Sequence, residues 1–125
     1  MATDINAITE QAIGAAIEVH RILGPGLLES AYQRALAHEL QLRRVSYEEQ
    51  VMCPVQYKDL IVADAYRVDF IVGGEVVVEL KTVDALLDVH EAQVLTYLKF
   101  TKCRIGLLFN FLSPTLTRGL KRLAL

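Results

Sequence analysis

The stretch from Arg67 through Asp69 to Glu79-Leu-Lys81 sets three charged side chains, Asp69, Glu79 and Lys81, inside runs that otherwise read as core. An unpaired charge in an apolar interior costs several kcal/mol, so such groups must be paired, liganded or open to a cleft. Glu79 and Lys81 are two apart on an extended chain and share a face. Whether Asp69 joins them depends on the turn. A two-residue Gly73-Gly74 turn would set Asp69 opposite Val78, whereas a loop of residues 73 to 75 sets it opposite Glu79. Converging carboxylates from neighbouring strands make a hard-oxygen site for Mg²⁺ or Mn²⁺. Such a cation neutralises phosphate charge and acidifies water, and the Lys81 ammonium would stabilise charge that develops during attack on phosphorus. The alternative is a buried ion pair of Asp69 or Glu79 with Lys81 or Arg67.

Two helical clusters could add to this chemistry. Glu29 lies one turn before Tyr32 on one face, just after Gly24-Pro25-Gly26; a glutamate in a first helical turn can also serve only the helix dipole. His90, Gln93 and Tyr97 are spaced three and four apart and share a face, with Glu91 beside them. They read either as a polar helix edge or as groups that reach phosphate or hold the carboxylates.

The elements that must position these groups follow from periodicity. Residues 4 to 23 read as a helix capped by Thr3 or Asp4, with Ile5, Ile8, Ala12, Ala16, Val19 and Leu23 as its apolar stripe. After the Gly-Pro-Gly break, a second helix is expected from about Leu27 to Arg43, with Leu28, Ala31, Ala35, Leu36 and Leu40 inward. Its Arg43-Arg44 end suits the negative potential of terminal carbonyls. Strand-like runs follow at 46–57, 60–72 and 75–82, divided by Lys58-Asp59 and Gly73-Gly74, and read as an antiparallel meander. Residues 88 to 100 are helical again, and 104 to 111 form a nearly continuous apolar run that suits a strand buried on both faces. After Ser113-Pro114 the spacing of Leu116, Leu120 and Leu123 fits a short helix, and 120–124 fits an edge strand equally.

Gly26-Leu-Leu-Glu29-Ser-Ala-Tyr32, Asp69, Glu79-Leu-Lys81 and Val89-His90-Glu91-Ala-Gln93-Val-Leu-Thr-Tyr97 together resemble the bacterial GxxExxY proteins of the PD-(D/E)XK nuclease superfamily. The resemblance runs from about His20 to Leu123. It implies an α/β, restriction-endonuclease-like α-β-β-β-α-β core, with a mixed central sheet flanked by helices. It also implies Asp69, Glu79 and Glu29 as metal ligands and Lys81 as the catalytic lysine, with Gln93 and Tyr97 as the helical Gln-x-x-x-Tyr element of RecB-like nucleases. Val68 stands where the superfamily pattern has proline, a departure that leaves the ligand set intact. The implied activity is endonucleolytic hydrolysis of phosphodiester bonds, with DNA as the expected substrate, Mg²⁺ or Mn²⁺ as cofactor and a 5′-phosphate product. The same superfamily contains proteins that only bind nucleic acid, so a non-catalytic nucleic-acid- or protein-binding module is the alternative.

Composition bounds these readings. The 125 residues suit one domain spanning 1–125, and 53% of them are hydrophobic, enough for a core without metal or disulfide staples. No apolar stretch approaches the ~18 residues of a membrane span, and the acidic N-terminus does not read as a secretory signal. Cys53 and Cys103 read as reduced core thiols of a cytoplasmic protein. A net charge of −2 argues against a general nucleic-acid binder. All 15 acids, however, lie at or before Glu91, while Lys99, Lys102, Arg104, Arg118, Lys121 and Arg122 follow it. These read as a solvated surface or as a basic rim facing phosphate. The apolar fraction favours self-association, and a homodimer would set two sites against the two strands of a duplex.

Overall fold

In the computed structural model, which describes residues 4–125, helix α1 spans Ile5–Leu23 and Asp4 caps it by accepting from the Asn6 N–H at 3.2 Å. Thr3, the other expected cap, lies outside the described residues. Ile8, Ala12, Ala15, Ala16 and Val19 carry the buried face. Ile5 is half-buried, and Leu23, expected on that stripe, is 40% exposed at the helix end.

Helix α2 starts at Glu29 rather than Leu27 and ends at Leu42. The inward face keeps the expected phase through Ala35, Leu36 and Leu40, and departs from it only at the first turn. Leu28, at the cap, is 78% exposed and Ala31 is also exposed, while Tyr32, Leu36, Ala37 and Leu40 are buried. Tyr32 takes the inward place of the first turn, and its hydroxyl donates to the Gly24 carbonyl and accepts from the Leu27 N–H at 3.1 Å. At the other end, Arg44 takes a left-handed φ of 58°. There the Val45 N–H returns to Leu40 and the Arg44 N–H to Gln41, a Schellman closure.

Strands β1 (Tyr47–Tyr57), β2 (Leu60–Val72) and β3 (Val76–Lys81) form the expected meander. Helix α3 (Asp88–Thr101) then crosses over to β4 (Ile105–Asn110), which runs parallel to β3. The ambiguous tail resolves into a 3-10 turn, Thr117–Gly119, followed by β5 (Leu120–Ala124), antiparallel to β4 at the edge. The sheet is therefore mixed, in the order β1-β2-β3-β4-β5. Val76 to Leu80 and Gly106 to Asn110 are buried, as strands covered on both faces must be.

Helices α1 and α2 close one face over Phe70, Val72, Val76, Val78, Leu80, Leu107 and Phe109. Helix α3 closes the other over Val68, Ile71, Val77 and Leu108, together with the free, buried Cys53 and Cys103. Gly106 lets α3 sit down on the sheet, because a Cβ there would stand 2.4 Å from Val94 Cγ1. Among the described residues no helix is long and apolar enough to cross a membrane.

Candidate functional site

The turn between β2 and β3 has three residues, since Val72 pairs with Val76. Gly73 (φ 60°) and Gly74 (φ 70°) take the left-handed conformations it needs, and the Glu75 N–H closes onto Val72 O at 3.2 Å. Phe70 consequently faces Val78, and the next opposed residues are Asp69 and Glu79. Here the backbone ladder stops. The Asp69 N–H donates to Glu79 Oε1 at 2.8 Å, and the Leu80 N–H donates to Asp69 Oδ2 at 3.0 Å. Two side-chain carboxylates replace the carbonyls of the missing rungs, so the buried N–H groups stay satisfied while the strands part.

Burial dominates the electrostatics. Glu79, only 4% exposed, is pushed up to about 8, first by desolvation and then by the Asp69 charge, against the pull of the Asp69 N–H and Lys81. Asp69 is also raised by burial, opposed by the Leu80 N–H, Lys81 and Gln50. The facing pair thus retains a proton well above the usual carboxylate range. Glu29 is raised by burial and by Asp69 and lowered by Lys81, which places it in the same field.

Lys81 is half-buried and donates to Gln93 Oε1 at 3.5 Å. It makes no ion pair within 4 Å with Asp69 or Glu79, so the closed buried ion pair is not what forms. Tyr97 is 2% exposed, edge-on to Tyr66 at 5.7 Å, and its phenol is raised by burial and then by Glu79. Gln93 therefore reaches the lysine while Tyr97 mainly packs. His90 of the same helix has a local task, accepting the Leu87 N–H through Nδ1 at 3.0 Å.

Glu29 is the first, exposed residue of α2. Its position is set from below. The Tyr32 hydroxyl ties the Gly24–Leu27 loop, its ring stacks on Phe111 at 4.5 Å, and the Phe111 N–H donates to Lys81 O at 2.8 Å. The entry to α2 and the end of β3 are thus joined through one aromatic stack.

The basic residues after Glu91 do not gather into one rim. Lys99, Lys102 and Arg104 belong to the end of α3 and the start of β4, where Arg104 pairs with Glu75 at 3.6 Å. Glu75 precedes β3, and Lys81 ends it, about 20 Å of extended chain away. Lys121 pairs with Glu91 at 3.5 Å, near the start of α3. Arg122 reaches Thr9 and Asn6 on α1, and Arg118 lies in the 3-10 turn. The acid-free segment winds around the sheet, so closeness in sequence does not become one charged face.

Two neighbours of Asp69 escaped the sequence reading. Gln33 Nε2 donates to Asp69 O at 3.3 Å and to Glu49 Oε2 at 3.2 Å. Its spacing of four from Glu29 on one helix was the available signal. Gln50 stands in register with Asp69, between the Glu49–Phe70 and Val51–Val68 pairs, with a left-handed φ of 51°.

The donor set can be tested against a cation by its chemistry. Asp69 and Glu79 offer hard-oxygen donors with one oxygen each engaged by backbone N–H, and a divalent ion would replace the proton that their shared burial makes them retain. Mg²⁺ is usually held by one or two carboxylates with water and phosphate completing its shell, so the pair fits. Among the described residues no cluster of three or more His, Cys, Asp or Glu side chains is arranged to hold a metal. Glu29 thus joins the pair through its field and not through a closed cage.

The chain matches the family model of the PD-(D/E)XK nuclease superfamily over residues 6–123. No curated protein and no solved structure matches it. The match covers nearly the whole chain, and the chain belongs to the PD-(D/E)XK nuclease superfamily.

Proposed function

We propose that this member of the nuclease superfamily is a divalent-cation-dependent endonuclease of the GxxExxY type, acting on DNA. The observation that carries the reading is the facing pair Asp69 and Glu79 at the break in the β2–β3 ladder, with Lys81 beside it and not neutralised by it. Asp69 and Glu79 would hold Mg²⁺ or Mn²⁺, with Glu29 as the third acid. A cation bound there supplies Lewis acidity, neutralising phosphate charge and acidifying water.

The chain's own groups do the rest. The backbone N–H groups of Asp69 and Leu80 fix one oxygen of each carboxylate, so the ligands are oriented before anything binds. Gln93 accepts from Lys81 and holds its ammonium beside the carboxylate pair, where it stabilises the charge developing on the phosphate oxygens. Glu29, exposed at the start of α2, orients solvent for attack in line with the departing oxygen. Water oxygen joins phosphorus, the bond to the 3′ oxygen breaks, and that oxygen leaves with a proton, giving a 5′-phosphate and a 3′-hydroxyl.

Incubation of purified protein with plasmid and single-stranded DNA in Mg²⁺ or Mn²⁺ tests this. Cleavage is expected to fall about 10²–10³-fold in Lys81→Ala and to vanish in Asp69→Ala and Glu79→Ala. Cleavage that survives all three variants sinks the reading. So does a protein that never cleaves and only binds DNA in a salt-sensitive manner.

A further inference from the structure

Lys81 is the last residue of β3, beyond the point where β2 parts from that strand. Its backbone is paired on the β4 side, in register with Asn110, and the Phe111 N–H donates to Lys81 O at 2.8 Å. Directly afterwards the chain leaves the sheet for the 82–87 crossover to α3. Here a side chain takes over the pairing. Asn110 Oδ1 accepts from the Val83 N–H at 3.2 Å, and Asn110 Nδ2 donates to Val83 O at 2.8 Å. The same oxygen accepts from the Leu112 N–H at 3.2 Å. One amide thus satisfies both backbone groups of Val83 and ties the crossover to the end of β4. The reversed amide would set its NH₂ against two N–H donors, so the orientation is fixed. Asn110 is only 4% exposed, and the 3-10 turn lies on it, since a Cβ at Gly119 would stand 2.5 Å from Asn110 O.

The crossover joins the two partners of the longest contact in the site, Lys81 Nζ to Gln93 Oε1 at 3.5 Å. We infer that Asn110 is a positioning residue for Lys81: its amide, closed on Val83, fixes the end of β3 and the lead into α3, and so holds the ammonium against Gln93. The inference rests on the reading of Lys81 as the catalytic lysine. The carboxylates are held separately, by the Asp69 and Leu80 N–H groups. The clamp therefore acts on the lysine and not on the acid pair.

The test is plasmid cleavage in Mn²⁺ by Asn110→Ala, Asn110→Asp, Lys81→Ala and the two combined variants, each assayed well below its own melting midpoint. Mn²⁺ affinity by calorimetry and amide exchange at Val83 accompany it. Alanine removes all three bonds. Aspartate keeps both acceptor bonds and loses the donor to Val83 O, and it carries the test if the alanine variant does not fold. In Asn110→Ala, kcat is expected to fall about 10–10²-fold, and by less in Asn110→Asp. KM for DNA and Mn²⁺ affinity should stay at wild-type values, while the Val83 amide exchanges faster in Asn110→Ala. On the Lys81→Ala background, either Asn110 substitution should lower kcat no further, because residues that act through one group do not add. A lower Tm with unchanged kcat, a loss that recurs in full on that background, or an unchanged Val83 amide overturns the inference and leaves the nuclease reading standing. A wild type that does not cleave, or a Lys81→Ala variant that cleaves as well as the wild type, overturns both.

Discussion

Val76–Val78 and Glu79–Lys81 are consecutive stretches of one strand, and both pair with β4 along their whole length. They part company on the β2 side. There the first stretch meets backbone, Val72, Ile71 and Phe70 in turn, and the second meets a carboxylate from the opposite strand. The apolar half fixes the register and contributes burial. The polar half inherits that register and uses it to set two acids face to face. The chemistry is thus placed by residues that take no part in it, and the parting of the strands is affordable only because the rungs beside it are dry and closed.

The comparison can be broken first at the last closed rung. Phe70 is fully buried, edge-on to Tyr47 at 5.9 Å, and Phe70→Ala should cost about 3–5 kcal/mol in urea denaturation. The folded fraction should still bind Mn²⁺. Loss of Mn²⁺ binding without loss of stability would show that the closed half is part of the site.

The polar half gives a pH signature of the opposite sign to ordinary acid denaturation. Glu79 ionises at about 8 in the fold and near 4.5 when unfolded. Between those values the folded chain holds a proton that the unfolded chain has lost. Stability of the metal-free protein should therefore be greatest below about 4.5 as far as this group is concerned, and fall as pH rises to about 8. The loss is on the order of a few kcal/mol. Glu79→Gln should flatten the profile measured by chemical denaturation at several pH values. Mn²⁺ affinity should rise through the same window in the wild type, because the proton must leave. A profile identical in wild type and variant would contradict the burial-driven shift.

The smallest effect is expected at the aromatic stack beneath the site. Tyr32→Phe keeps the stack on Phe111 and removes the hydroxyl shared by Gly24 and Leu27. About 1–3 kcal/mol should be lost in thermal or urea melts. DNA cleavage should fall further than in a surface variant of equal stability, because Glu29 loses its fixed entry. Unchanged cleavage would confine Tyr32 to the core.

Much of this was readable from residue order, for identifiable reasons. Strand-like runs and the breaks at Lys58-Asp59 and Gly73-Gly74 located the strands, and a site shared by Asp69 and Glu79 required an odd-length turn, which the Val72–Val76 pairing provides. The phase of α2 was legible through Ala35, Leu36 and Leu40, but Leu28 and Ala31 were placed inward by composition, and the start at Glu29 leaves Leu28 at the exposed cap. The tail was ambiguous because leucines three and four apart fit either a helix or an edge strand, and only pairing with β4 decides. The left-handed turn at Gln50 left no mark, since glutamine is not a residue that announces positive φ. Nor could the basic residues be placed, because their segment crosses from one end of the sheet to the other.

Gly106 shows how far the demands of the site extend. Helix α3 bears on the sheet through Val94 at this glycine, and the same helix carries Gln93 to its 3.5 Å contact with Lys81. That contact has no slack. A single added methyl would act as a shim, lifting the helix and lengthening the reach. A position that touches no charged group therefore governs the Gln93–Lys81 contact, and its tolerance is set by an atom the sequence leaves out.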